Sequence, residues 1–350
     1  MTDQVADSTP VETPSAPAQH PRKRWLVPVI IGGVAVVVLG GGGVAYATLS
    51  SQHTPTNTVS HYLDALIDGD ADSALADLGD IPKDQQQLLS DAVFSQATDR
   101  ITEYTITKET VDGEKATVTV DVTQGGESSS HDLTLSTGER EMGLFTNWKV
   151  DAATLPTVHV SFSGPEGFGI AANGEEVGAA TAEAAPIFPG TYEFEPISPS
   201  EMYATAPVPQ TITLGNVGEA VPVALSATLS EEGAAAAQAA FNAHLDECLA
   251  ATVLAPSKCG YGMRAVPGTN YTNVRWSAPE RPQVDFPTWT EEKGWEVHLI
   301  SSGHLRMDSD YTDSEGGGIS FVDITNYQPK GGVTFDADGN AVYTTTYVDN

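Results

Sequence analysis

Basic side chains are scarce in this chain, cysteine scarcer still, and no catalytic signature survives inspection. Only 16 Lys and Arg stand against 47 Asp and Glu, for a formal net charge of −31. Between Lys149 and Lys258 there is no Lys or Arg at all. A field of that sign repels nucleic acid and anionic lipid headgroups, so no nucleic acid is expected as a partner. It favours solubility outside a cell and attracts divalent cations or a basic protein.

The two cysteines, Cys248 and Cys259, exclude a disulfide-dense scaffold. In an oxidising compartment they are expected to form one bridge, closing a short loop around Pro256 and contributing about 2–3 kcal/mol. A catalytic thiol or a metal pair would need His partners at suitable spacing, and none is evident. The eight histidines are scattered, without an H-E-x-x-H pair. His298 and His304 lie close enough to meet across a turn, but exposed strand histidines are the plainer reading.

Other chemistry is missing as well. There is no nucleophile elbow, P-loop or kinase set. Gly167-Phe168-Gly169-Ile170-Ala171-Ala172 has the outline of a dinucleotide fingerprint. It leads into a hairpin turn instead of a helix, so a phosphate has no helix N-terminus to sit on. Asp308-Ser309-Asp310-Tyr311-Thr312-Asp313 starts like a calcium loop. Asp313 stands where that loop needs Gly, and Ile319 where it needs Glu. Asp336-Ala337-Asp338-Gly339-Asn340 reads as turn chemistry, and Asp68, Asp70 and Asp72 as capping and solvation of a helix break. No catalytic residue, cofactor or metal site is therefore expected.

What is present is one long hydrophobic run. Trp25 to Leu49 is 25 residues without a charge. As a helix it spans about 37 Å, enough for a ~30 Å hydrocarbon core. Arg22, Lys23 and Arg24 abut its N-terminal side, and no basic residue follows until Lys83. That asymmetry predicts a single-pass plasma-membrane protein with its N-terminus in the cytoplasm and its C-terminal region extracellular. The membrane is then a partner by way of one spanning helix. Ala45-Tyr46-Ala47 also resembles a cleavage site, so a signal peptide cut after Ala47 is a second reading. Both readings export the same residues. Residues 1–24, rich in Thr, Pro, Ser and Ala, are expected to be a disordered tail.

Beyond the run, Val59, Tyr62, Leu63, Leu66 and Ile67 form one helical stripe that Asp68-Gly69-Asp70 breaks. Ala71, Ala74, Leu75 and Leu78 mark a second helix, and Leu88, Leu89, Ala92 and Val93 a third over 84–97. The period then changes to two. Ala116, Val118, Val120 and Val122 alternate with polar residues, Leu133 and Leu135 follow, and Trp148-Lys149-Val150 closes a meander. Helices followed by strands predict an α+β domain over 50–156.

Residues 157–229 show only strand signals, with Asn173-Gly174 a strong two-residue hairpin turn. They predict a small β-sandwich. From Ser230, a plausible N-cap, a helix carries Phe241, Leu245, Cys248 and Leu249 on one stripe. Strands around Trp295-Val297-Leu299, Ile319-Phe321 and Val333-Phe335 follow, so residues 230–350 are expected to form a second α+β domain.

The helix that ends at Tyr62-Leu63-Asp64-Ala65-Leu66-Ile67-Asp68-Gly69-Asp70, with the closing Trp148-Lys149-Val150 strand, resembles the NTF2-like (cystatin-like α+β) group over about 100 residues. The resemblance implies a cone with a pocket, and no family active-site residue carries over. Pro165-Glu166-Gly167-Phe168, Asn173-Gly174 and Phe188-Pro189-Gly190-Thr191-Tyr192 resemble PEGA-type cell-surface modules, although the Gly-x-x-Pro usual after the turn is missing. These modules imply spacers or envelope contacts. The plan of tail, anchor and successive modules is similar to TcaA-like Gram-positive envelope proteins, which hints at compartment only.

One enrichment remains. Trp276, Trp289 and Trp295 fall within 20 residues, with Tyr261 and Tyr271 nearby. Exposed, they would form a ligand platform for sugar rings; buried, they are the core of the last domain. The sequence therefore predicts a non-enzymatic, membrane-anchored cell-envelope protein that binds, senses or scaffolds a surface component, such as cell-wall glycan or another envelope protein. The alternative is an enzyme or small-molecule-binding protein that uses an NTF2-like pocket.

Overall fold

The computed structural model describes residues 53–141, 145–178 and 183–347. The tail at 1–24 and the hydrophobic run at 25–49 lie outside them. Among the described residues no helix is long and apolar enough to cross a membrane.

Local chemistry sets the first elements. Thr54 caps helix α1 (Pro55–Asp68) by accepting from the Asn57 N–H at 3.2 Å, and Pro55 occupies the first turn, where its missing N–H costs nothing. Gly69 ends the helix at φ +76°, a left-handed conformation that an L side chain resists. Asp70 then caps α2 (Ala71–Asp77), accepting from Ser73 N–H at 2.9 Å, and those bonds hold its carboxyl below the ordinary range. The Asp-Gly-Asp break is thus a C-cap followed at once by an N-cap.

The helix expected over 84–97 does not form. Two 3₁₀ turns (Lys83–Gln85 and Gln87–Leu89) and a single turn of α3 (Asp91–Phe94) replace it. Ser90 is extended, and adjacent Leu88 and Leu89 are both buried, as are Val93 and Phe94. Core burial of neighbouring side chains overrides the helical stripe here.

Four strands follow as an antiparallel meander: β1 (Ile101–Asp112), β2 (Lys115–Gln124), β3 (Glu127–Glu141) and β4 (Phe145–Val150). Ala116, Val118, Val120 and Val122 face inward as their alternation requires. Strands β5 (Thr157–Ser163), β6 (Gly169–Ala172), β7 (Glu175–Gly178), β8 (Ala185–Pro186), β9 (Gly190–Ile197), β10 (Tyr203–Ala204), β11 (Val208–Ile212), β12 (Val221–Ser226) and β13 (Thr228–Leu229) come next. They form sheets ordered β11-β9-β6-β7 and β12-β5-β8, with β10 paired to β13. Asn173 (φ 51°) and Gly174 (φ 83°) make the tight turn between β6 and β7.

The last stretch holds α4 (Glu231–Leu249) and seven strands: β14 (Asn270–Glu280), β15 (Gln283–Thr290), β16 (Gly294–Ser301), β17 (Gly303–Thr312), β18 (Gly317–Tyr327), β19 (Gly331–Phe335) and β20 (Ala341–Thr345). Their sheets are β14-β17-β18 and β15-β16-β19-β20. Ser230 caps α4, accepting from Gly233 N–H at 3.0 Å.

Twenty strands and four α-helices occupy the described residues, so the molecule is mostly β. This corrects the expected α+β class with its two α+β domains; the expected membrane helix at 25–49 lies outside the described residues. Strands predominate because the two-residue period recurs along far more of the described residues than the helical stripe does.

Three cores hold the strands together. The largest joins α1, α2 and the first meander to β5–β12: Phe188 packs against Phe94 (4.9 Å between ring centres) and Tyr62 (6.4 Å). The second and third are both served by α4. Its Leu245 and Cys248 enter a core with Trp276, Leu305 and Met307, while Ala237 and Phe241 enter another with Phe286, Trp295 and Val333.

Candidate functional site

The expected aromatic platform is not one surface. Strand β14 pairs with β17, whereas β15 and β16 pair with each other in a different sheet. Trp276 therefore enters the second core, 6% exposed, and donates from Nε1 to Val253 O at 2.9 Å. Trp295 is fully buried in the third core, with half-buried Trp289 edge-on to it at 5.6 Å. No face remains on which these three rings together can stack a sugar.

Cys248 and Cys259 are joined in a disulfide, with Cα atoms 5.7 Å apart. Both are buried, and Tyr327 Oη donates to Cys259 O at 3.1 Å. The bridge is a structural clamp between the end of α4 and the loop that follows. His298 and His304 do not meet: His298 pairs with Asp285 at 2.7 Å and His304 with Asp323 at 3.0 Å.

The acidic segments are also structural. Asp308 and Asp310 lie on strand β17, and Arg306 donates to both oxygens of Asp308, holding that carboxyl low. Asp336 accepts from Asp338 N–H (2.9 Å) and Asn340 N–H (2.8 Å), as a turn residue does. Among the described residues no cluster of three or more His, Cys, Asp or Glu could hold a metal ion.

A different residue stands out. Arg100 is half-buried at the start of β1 and lines a cleft of about 550 Å³, with Ile67, Thr98, Asp99, Thr102 and the Gly125–Gly126 turn. Its Nη1 donates to Ala97 O at 2.7 Å and Ser95 O at 3.1 Å, capping the turn after α3. Its guanidinium lies 5.7 Å from the centre of the Phe94 ring. On another side it sits against Gly69, where an added Cβ would come within 3.1 Å of Arg100 Cζ. Gly69 is required for its positive φ, and a side chain there would also press on the Arg100 guanidinium.

Despite 47 acidic residues in the chain, no carboxylate comes within ion-pair distance of Arg100 among the described residues. Its Nε is buried with no acceptor. Its charge is felt at Tyr192, where burial pushes the phenol up and Arg100 pulls the other way. Neighbouring Asp99 turns aside, its Oδ2 accepting from Thr191 Oγ1 at 3.2 Å.

The cleft can therefore offer a half-buried guanidinium, the hydroxyl of Thr98 and the backbone of a glycine turn to an incoming anion, while Thr102 Oγ1 already donates to Thr123 O at 3.2 Å. Sequence reasoning missed Arg100. Its only signal was the rarity of basic residues, which says nothing about pairing. A second cleft of about 350 Å³ lies between 3₁₀ residues Asp84–Leu88 and strands β5–β7, with walls of Val158, Val160, Ile170 and Val177. The chain matches no protein-family model, no curated protein and no solved structure.

Proposed function

We propose that this chain is a non-enzymatic cell-envelope protein that recognises a carboxylate-bearing surface component at the Arg100 cleft. The run Trp25–Leu49 would hold it in the plasma membrane, with the described residues on the outer side. The observation that carries the reading is Arg100 itself, a half-buried guanidinium whose Nε has no acceptor and which no carboxylate pairs among the described residues, in a chain of net −31. Desolvating a cation without pairing it is costly, and an arriving carboxylate offsets that cost with a charge-assisted hydrogen bond.

The test is co-sedimentation of the detergent-purified full-length chain with isolated cell-wall material at about 0.15 M salt, where charge beyond ~8 Å is screened. Two variants accompany it. Arg100→Met removes the guanidinium but also the bonds to Ser95 and Ala97. Gly125→Asp leaves those bonds intact, since Asp tolerates φ near +57° and nothing lies within 4 Å of its Cβ. It places a carboxylate at the cleft rim. Retention of the native chain with roughly tenfold weaker binding by both variants is expected, about the worth of one charged hydrogen bond. Equal retention of all three, or no retention of the native chain, would sink the reading.

A further inference from the structure

A sheet edge exposes a row of backbone donors and acceptors, and folded proteins blunt such edges with proline, bulges, lysine or shortness. Most edges in this molecule are blunted. Strand β1 carries two register breaks, β11 carries Pro209 and β12 Pro222. Strand β14 has two breaks and Pro279, and β15 has two breaks and Pro287. Strands β7 and β8 are only 4 and 2 residues long, and helix α4 packs beside β20.

Strand β18 is different. It is an edge strand of 11 residues, GGISFVDITNY, without proline or lysine. Its register against β17 is unbroken from Leu305↔Ile324 to Thr312↔Gly317. Among the described residues, no strand pairs with its outer side. At its centre Ile319 is 77% exposed and Phe321 59% exposed. Those two side chains share the outward face, with Ile319 beside Asp310 and Phe321 beside Asp308.

We propose that β18 is a pairing edge and that its partner is the β18 of a second copy of this chain, joined antiparallel about a two-fold axis. Local charge is what selects a second copy. The chain as a whole is strongly acidic, yet two of the acids beside β18, Asp308 and Asp323, are compensated. Arg306 grips Asp308 and reaches Asp323 at 3.8 Å, and His304 holds Asp323 at 3.0 Å. The same Arg306 guanidinium lies 4.7 Å from the centre of the Phe321 ring. Asp310 has no cation and accepts from Asn273 Nδ2 at 2.6 Å, but it lies on β17, one strand in from the edge, so a second copy paired at β18 brings no carboxylate next to it.

The strand is also self-complementary. With the axis through Ser320, Ile319 faces Phe321 of the second copy, Gly318 faces Val322 and Gly317 faces Asp323. No like charges oppose one another, and an aliphatic–aromatic cross-strand pair occurs twice. Slipping the register until Asp323 meets its own copy would place two carboxylates together, so charge favours the first alignment.

The test is the protein mass of the detergent-purified full-length chain by light scattering, at tens of micromolar and about 0.15 M salt. Twice the 36.7 kDa chain mass is expected. Ile319→Lys alone should weaken the pairing at least tenfold, and Ile319→Lys with Phe321→Lys should leave a single-chain mass. Both side chains are exposed, so the variants should keep the native circular dichroism spectrum. A single-chain mass for the native protein overturns the proposal. So does a dimer that survives the double lysine change, since its contact would then lie elsewhere in the chain.

Discussion

Two buried tryptophans offer a direct comparison, because the same substitution should cost very different amounts at each. Trp295→Phe and Trp276→Phe remove the same ring from a core, so the transfer and cavity losses are similar, about 1–3 kcal/mol each. The indole nitrogens differ. Trp276 Nε1 donates to Val253 O at 2.9 Å, so its loss adds about 1 kcal/mol. Trp295 Nε1 is buried and meets no acceptor among the described residues. Removing it relieves a desolvation cost of about 1–3 kcal/mol, which offsets most of the lost packing. Trp276→Phe should therefore destabilise by about 2–4 kcal/mol and Trp295→Phe by no more than about 1 kcal/mol.

Burial alone ranks the two the other way, since Trp295 is 0% exposed and Trp276 6%. Urea unfolding of the full-length chain and both variants, followed by circular dichroism, measures the difference. Equal losses, or a larger loss at Trp295, would refute the reasoning from hydrogen-bond satisfaction.

Two further outcomes follow from the structure. Replacing Cys248 and Cys259 together by Ala should lower stability by about 2–3 kcal/mol, read as a lower melting temperature than the oxidised native chain; no change would mean the loop is held by its packing alone. His61 titrates above the usual histidine value because Asp77 accepts its hydrogen bond and attracts its charge, with Asp64 and Asp70 adding to the effect. A raised folded value stabilises the protein fully below about pH 6.5 and less as pH rises through that value. The melting-temperature gap between the native chain and Asp77→Asn should thus be wider near pH 5.5 than near pH 8.5, and a gap that widens on the alkaline side would contradict the pairing.

Much of the local structure was written in the sequence. The caps at Asp70 and Ser230, the left-handed Gly69, the Asn173-Gly174 turn, the α4 stripe and the β2 alternation all depend on neighbours within a few residues. Their physics is short-range: backbone sterics, a side-chain oxygen reaching an N–H three residues away, and the two-residue period of a pleat. The disulfide belongs with them, because two lone cysteines eleven residues apart have little choice of partner.

What the sequence left open was decided by contacts between distant segments. Residues 84–97 have a helical stripe, yet the core that receives Leu88, Leu89, Val93 and Phe94 breaks it into turns. Three tryptophans crowd into 20 residues, yet strand pairing sends Trp276 to one core and Trp289 and Trp295 to another. Arg100 is one of 16 basic residues until the fold sets Phe94 and Gly69 against it, with no carboxylate paired to it among the described residues. The open edge of β18 exists only because strand order puts it last in its sheet. Periodicity specifies which side of a strand is apolar, but strand order and the identity of the opposing core depend on long-range packing that no local pattern encodes.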